Sequence, residues 1–266
     1  MKLTVILFVF WPGEENYIEA CLKSVFWVDE IVVIDNGASP KTLEIVKKYT
    51  NKIYKSVSDN FADRHNLGKE QASGDWILYI DADERVSRKL AEEIKKIDIS
   101  FSAYELRRVN YFLGKEVKHG DRIPDFVARL FRKDKLLEWT GEIHESSKVN
   151  GKIGQLDAPL YHLTHRNIFS MMEKTINFSE HEAQLRFKAN HPSVVWWRLI
   201  RVFLGEFYLR IIKYQGWRGG TENWIDGIFQ SFSLFIVYAR LWELQRKPKL
   251  EESYKEIDKK ILSGEI

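Results

Sequence analysis

Three acids follow one apolar run. Trp76–Ile80 leads directly into Asp81, Ala82, Asp83 and Glu84. Two aspartates one residue apart offer hard oxygen ligands to Mg2+ or Mn2+. An ion held there would neutralise a diphosphate, a task that glycine-rich loops perform in other nucleotide sites. Taken alone the triplet is ambiguous, because aspartates where a strand meets a turn also serve turn chemistry and solubility. A further acid, Asp35, ends the earlier run EIVVID, and Asp63–Arg64–His65–Asn66 falls between the two. Downstream, TGEIHE carries Glu142, His144 and Glu145, where a carboxylate could act as a general base. His162 and His165 bracket the end of one more apolar segment. Neither G-x-G-x-x-G nor G-x-x-x-x-G-K-[ST] occurs, so a nucleotide bound here needs another way to manage its phosphates.

The elements that must position these groups alternate. Leu3–Phe10 is continuously apolar, β-branched or aromatic, which predicts a parallel strand buried on both faces. With Lys2 ahead of it the run imitates a short signal peptide, but it lacks a small-residue cleavage site and meets Pro12, Gly13, Glu14 and Glu15. Glu14–Trp27 has helical spacing with acids at its start, where the helix dipole favours them. Ile31–Ile34 predicts a second buried strand, Lys41–Tyr49 a helix, Lys52–Val57 a short strand and Asn60–Ala72 a helix. Trp76–Ile80 then predicts a third strong strand, and Ser87 is placed to cap a helix over Ser87–Ile97. Strands alternating with helices imply an α/β protein with a mostly parallel sheet. Ligands of such sheets bind beyond the carboxyl ends of the strands, so Asp35, Asp81 and Asp83 are expected to converge on one crevice.

The order of these motifs carries a resemblance. VVIDNGASPKT, ADRHNLGKEQASGDWILYIDADE, RLFRKDKLLEWTGEIHE, Tyr161–His162 and GWRGGTENWIDGIFQSF together resemble family 2 glycosyltransferases of the GT-A fold. Within them the chain is similar to the bacterial group that builds the inner core of lipopolysaccharide as β-glucosyltransferases. The likeness spans roughly residues 3–245. It implies that Asp35 contacts the nucleoside, that Asp63 and Arg64 line the base and phosphates, and that Asp81 holds the ribose or donor sugar. It further implies that Asp83 ligates a metal bridging the phosphates, with Asp81 beside it, and that Glu84 orients sugar hydroxyls. Glu145 matches a recurrent His-Glu of the group and is the preferred base, with Glu142 the second choice and His144 adjacent. A late histidine completes the metal shell in some relatives, which gives His162 that role or leaves it a capping or core residue. Arg129 and Arg132 face phosphate or acceptor, or else a solvated strand surface. The chain departs from the group at its first loop, where Phe10–Trp11–Pro12–Gly13–Glu14–Glu15–Asn16 replaces T-x-N-E-E.

Composition bounds the alternatives. Of 266 residues, 44% are hydrophobic and 30% charged, which excludes a disordered or collagen-like chain. A net charge of +3 is too mild for a nucleic-acid binder. The one cysteine, Cys21, excludes a disulfide framework and Cys-based zinc sites, and its helical spacing with Leu22 and Val25 predicts buried packing. Cysteine usage fits a reducing cytosol. Charge is uneven: Leu160–Lys249 carries 13 Lys+Arg against 7 Asp+Glu and five of the nine tryptophans. Between Val194 and Tyr214, apolar residues recur every three or four positions with Arg198, Arg201, Arg210 and Lys213 opposite. That pattern suits a helix lying in a membrane interface, and equally one packed on the catalytic domain or a second subunit.

The expected organisation is a GT-A domain over 1–165, made of a nucleotide-sugar half (1–100) and an acceptor half (101–165). A basic aromatic helical region (166–246) and a charged tail (247–266) follow. The implied activity is inverting, metal-dependent transfer from a nucleotide sugar, UDP-linked for preference, to a glycan or glycolipid of the cell envelope. The enzyme would work in the cytoplasm or on the inner face of the membrane, alone or as a homo-oligomer. Two alternatives stand beside it. A haloacid-dehalogenase-type phosphatase fits DADERV superficially, although there the motif ends the first strand. A non-catalytic membrane-associated binding or scaffold protein would keep the same fold.

Overall fold

The computed structural model describes residues 1–10, 13–58, 60–120, 123–141 and 146–265. The chain divides into two compact units, Met1–Glu116 with Arg122–Thr164, and Val117–Asp121 with His165–Ile266.

The first unit is built on a nine-stranded sheet. Its strands are β1 (Leu3–Val9), β2 (Glu30–Asp35), β3 (Ile53–Lys55), β4 (Trp76–Asp81), β5 (Glu84–Val86), β6 (Ala103–Phe112), β7 (Lys115–Glu116), β8 (Asp125–Arg132) and β11 (Ile153–His162). Their spatial order is β3-β2-β1-β4-β8-β6-β11-β5, with β7 hairpinned onto β6. β3, β2, β1 and β4 run parallel, β8 runs against β4 and β6, and β11 lies parallel to β6. A separate hairpin joins β9 (Leu136–Thr140) to β10 (Ser146–Val149).

Every residue of β1 is buried because both faces are covered. Val5, Leu7 and Val9 join Ile18, Leu22 and Val25 of α1 (Ile18–Val25) in one core. Ile6 and Phe8 turn the other way, into a second core with Ala62 of α3 (Phe61–Gln71) and Trp139. Cys21 is buried in the first core, and burial pushes its thiol pKa up, which leaves it unreactive. Gly68 lets α3 approach β1: a Cβ there would lie 2.6 Å from Ile6 Cγ2. Asn60 caps α3 by accepting from the backbone N–H of Ala62 and Asp63, and Ser87 caps α4 (Arg88–Ile94) through Leu90 N–H.

Two expected boundaries move. The helix foreseen over Glu14–Trp27 is a short 3₁₀ turn, Glu14–Asn16, followed by α1. The non-helical Tyr17 separates the pieces, Gly13 at φ 87° opens the first, and Glu14 is buried, accepting from the N–H of Phe10 just after β1. The second helix, α2 (Pro40–Val46), starts earlier than predicted because Ser39 caps it and Pro40 occupies its first turn.

The second unit is helical: α5 (Ile168–Lys188), α6 (Trp196–Phe207), α7 (Thr221–Gln245) and α8 (Leu250–Ser263). A π-helical turn, Tyr208–Lys213, prolongs α6. Gly227 admits the buried Ile211 from that turn, since a Cβ on the glycine would sit 2.4 Å from Ile211 Cδ1. Ala183, Val194 and Leu241 form the small core of this unit. Among the described residues no helix is long and apolar enough to cross a membrane.

Candidate functional site

Strand register brings the acids together. In the parallel ladders Val9 pairs with Asp35 and Phe8 with Asp81, so both aspartates leave the sheet at the same edge, on either side of β1. Glu84, on β5, pairs across with His162 at the end of β11, and His162 in turn pairs with Asn110 of β6. Asp83 lies in the tight turn between β4 and β5, where its carbonyl accepts the N–H of Leu163 (2.9 Å). Residues that lie more than 70 positions apart in sequence thus meet at one end of the sheet.

Each acid is held differently. Asp35 turns one carboxylate oxygen back to its own turn, accepting from Gly37 N–H (3.0 Å) and Ala38 N–H (2.9 Å). Asp63 accepts the Ser58 hydroxyl proton at 2.7 Å. Asp81 is ion-paired with Arg129 of β8, which also reaches Glu84 at 3.1 Å. Asp83 faces imidazole instead: its Oδ2 is 3.5 Å from His162 Nε2. The far nitrogen of that ring, Nδ1, lies 2.7 Å from Asn110 Oδ1. Because an amide oxygen only accepts, Nδ1 donates to it, and Nε2 is the ring nitrogen turned toward Asp83.

Glu84 departs from the sugar-orienting role implied by the resemblance. Its side chain is wholly buried, and its carboxylate accepts from Asp81 N–H (3.0 Å) and from Arg129 while Arg108 stands 3.8 Å away. It braces the turn beneath Asp81 rather than meeting a sugar. Burial raises its pKa, with Arg129 opposing and the neighbouring Asp81 adding to the rise. Arg108 completes the network by donating to Asp125 (2.8 Å), which also accepts from Asn110 (2.8 Å).

Arg64 is a second departure. It is only 6% exposed, it donates through Nε to Ser58 O (2.9 Å), and its guanidinium stacks 4.7 Å from the Phe61 ring. With the Asn36 amide turned to suit its neighbours, Asn36 also accepts from Arg64 and donates to Ser56 O and Ser58 O. Arg64 therefore ties the loop before α3 to the turn after β2, and any influence on a base or phosphate passes through that loop. Arg129 is likewise neither on a solvated face nor aimed at phosphate; it is 11% exposed and committed to Asp81 and Glu84. Arg132 pairs with Asp134 at the surface.

The donor set bears on a metal. Among the described residues no group of three or more His, Cys, Asp or Glu side chains is gathered as a ready cage. Asp83 and His162 supply one carboxylate and one imidazole, and Mg2+ or Mn2+ sites of this kind are completed by water and phosphate oxygens. Asp81, expected as a second ligand, is instead paired with the Arg129 guanidinium. Asn110 is the partner that orients the His162 ring. Glu142, His144 and Glu145, the candidate bases, lie outside the described residues. Arg108, Asn110 and Asp125 were not foreseen; their only signal is polar residues set among apolar ones along β6 and β8.

A mostly parallel sheet covered by helices, with acids at adjoining strand ends and a helical C-terminal region, defines the GT-A class of sugar-transferring enzymes. The chain belongs to glycosyl transferase family 2, whose family model matches residues 8–150, and it is a glycosyltransferase. An uncharacterized glycosyltransferase of Rickettsia typhi is 26% identical, over 91% of this chain and 88% of its own. The lipopolysaccharide core biosynthesis glycosyltransferase LpsC of Rhizobium meliloti is 22% identical, over 95% and 98%. A crystal structure of Staphylococcus aureus TarS 1–349 in complex with UDP-GlcNAc superposes with a TM-score of 0.50 at 17% identity, covering 94% of this chain and 93% of that one, a likeness of fold. The family match disfavours the phosphatase alternative.

Proposed function

We propose that the protein transfers a sugar, with inversion, from a nucleoside-diphosphate sugar to a hydroxyl of a glycan or glycolipid acceptor in cell-envelope synthesis. The observation that carries this reading is the Asp83–His162 pair, oriented by Asn110 at the carboxyl edge of a family 2 sheet. Asp83 and His162 would hold Mg2+ or Mn2+, and the ion, when bound, offsets the negative charge that grows on the departing diphosphate. Asp35 offers its remaining carboxylate oxygen to the nucleoside, with Asp63 in the first turn of α3 and Arg64 lining the base and phosphates. Asp81, steadied by Arg129, faces the ribose or donor sugar. Glu145 takes the acceptor's proton, with Glu142 as second choice and His144 next to it; inversion needs only one such base. The names of relatives support a UDP-linked donor and a lipopolysaccharide or other envelope acceptor.

The test is thermal stabilisation by a panel of nucleotide sugars with and without Mn2+ or Mg2+, since a ligand that binds the native state raises its stability by mass action. Stabilisation by one donor class, dependent on metal and lost in Asp83→Ala, is the expected result. Equal donor binding by Asp83→Ala, with metal still required, would overturn the assignment of Asp83. Metal-dependent donor binding without transfer or hydrolysis, on any acceptor extract, would favour the non-catalytic binding protein.

A further inference from the structure

The helical unit presents an apolar surface where a small unit would ordinarily present a polar one. Along α6 and the π-turn, Trp196 (74% exposed), Ile200, Leu204, Tyr208 and Ile212 recur every four residues and all face outward. Four-residue spacing keeps them on one side of the helix. α7 carries a matching outward row, Trp224, Ile228 and Phe232. The two rows meet at a groove of about 310 Å3 lined only by Leu199, Ile200, Phe203, Leu204, Phe232 and Phe235. Contiguous exposed apolar surface of this kind marks an interaction site.

Charge decides what covers it. Trp196–Lys213 carries Arg198, Arg201, Arg210 and Lys213 against Glu206 alone. The Arg198 and Arg201 guanidiniums each lie 5.5 Å from the Trp197 ring, and Arg246 lies 5.6 Å from Trp242. These tryptophan–arginine pairs share one end of the α6–α7 hairpin, where Val194 N–H donates to Gln245 (2.9 Å). α8 is the internal contrast. It too exposes Tyr254, Ile257 and Ile261, but Leu250–Ser263 balances four acids against three lysines. An apolar stripe with tryptophans at its border and an excess of cations suits a bilayer interface, where rings sit at headgroup level and arginines meet anionic lipid. A self-complementary dimer patch would set these cations against each other across a two-fold axis.

We infer that the outward face of α6 and α7 docks on an anionic phospholipid surface, inserting the Ile200–Leu204 stripe to the acyl boundary with Arg198 and Arg201 among the headgroups. This placement is independent of the sugar-transfer reading.

The full chain should co-sediment with vesicles of phosphatidylcholine containing a quarter phosphatidylglycerol and leave vesicles of phosphatidylcholine alone largely unbound. Binding should weaken with salt, and Arg198→Gln with Arg201→Gln should lower the affinity by about fivefold for each arginine. The paired exchange Ile200→Glu and Leu204→Glu should abolish binding while circular dichroism stays unchanged, because both side chains are already exposed. Ile257→Glu on α8 should bind as the parent does. Equal binding by the Ile200/Leu204 variant, or no preference for anionic vesicles, would overturn the inference. So would a concentration-dependent dimer that this variant dissolves in a chain indifferent to vesicles.

Discussion

The Arg129–Glu84 contact gives the site a measurable weak point. Glu84 is wholly buried and Arg129 is 11% exposed, so Arg129→Met removes the cation that a buried carboxylate shares with the partly exposed Asp81. Arg108, 3.8 Å from Glu84 and already donating to Asp125, cannot take over the geometry. Removing one partner of a buried pair costs about 3–5 kcal/mol, because the other charge is stranded. The cost here falls at the low end, about 3 kcal/mol, since Asp81 N–H still donates to Glu84 and the carboxylate can take up a proton. For a unit of this size each kcal/mol moves the melting temperature by about 2–4 °C, so the expected fall is roughly 6–12 °C. The sign of its pH dependence follows from Glu84. Burial already raises that pKa, and losing the guanidinium raises it further. In the pH range between the unfolded and folded values, the native variant keeps a proton that the unfolded chain has released, so stability falls as pH rises. Thermal melts of parent and variant should therefore differ more at neutral pH than at acid pH. Arg129→Lys should lose less, retaining the charge without the guanidinium's reach to both acids. A fall of less than about 2 °C at neutral pH, or one identical at both pH values, would refute the account of Arg129 as the cation that holds Asp81 and Glu84.

Further outcomes follow from neighbouring contacts. Asn110→Ala releases His162 Nδ1 and should weaken Mn2+ binding, followed by calorimetry or electron paramagnetic resonance, by about 10–100-fold with little change in melting temperature. His65 sits among the rings of Phe8, Tyr79 and Trp139, and burial holds its pKa at about 4. A histidine depressed in the folded state contributes stability above its unfolded value and loses it as pH falls, so denaturant melts should show about 3 kcal/mol draining between about pH 6.5 and 4, a slope that His65→Phe removes. Gly68→Val forces a branched side chain against Ile6 and should cost about 2–3 kcal/mol in urea unfolding, whereas Gly205→Ala, whose Cβ meets nothing within 4 Å, should be neutral or stabilising.

What the sequence discloses depends on how strongly burial writes itself into residue choice. β1, β2 and β4 are covered on both faces, so each is an unbroken apolar run that only a central parallel strand explains. β6 is different. Its ten residues descend from buried Ala103 and Tyr104 to half-exposed Arg108, Val109 and Asn110, and no period survives to announce a strand. α5 falls within the helical region expected over 166–246, but its own bounds are not legible, with only Met171, Ser179 and Ala183 buried along 21 residues. At the site, Asp35, Asp81 and Asp83 are visible because they end legible strands. Arg108, Asn110 and Arg129 are not, because their meaning lies in the antiparallel pairing of β8 between β4 and β6, a long-range choice that local spacing does not encode. Glu84 misleads for the opposite reason: it stands next to the aspartates in sequence, and the two-residue turn before β5 rotates it under the sheet.

The charge arrangement at the strand ends has an internal logic. Asp81, Asp83 and Glu84 place three acids within four residues, and left together in a half-buried turn they would repel one another and open it. The fold answers with two guanidiniums, and it distributes them unevenly. Arg129 and Arg108 are directed to Glu84 and Asp81, on the side of β8 and β6, while Asp83 is turned toward β11 and meets the imidazole of His162, whose Nδ1 is engaged by Asn110. A guanidinium cannot be exchanged for a metal ion without leaving a buried cation behind, whereas an imidazole nitrogen can itself serve as a ligand. The two arginines therefore serve Glu84 and Asp81, whereas the second aspartate of the pair is set against an imidazole. If the turn instead relied on a bound ion for its shape, Arg129→Met would be rescued by Mn2+. The geometry predicts that it is not, because the ion's donors and the arginine's acids are different side chains.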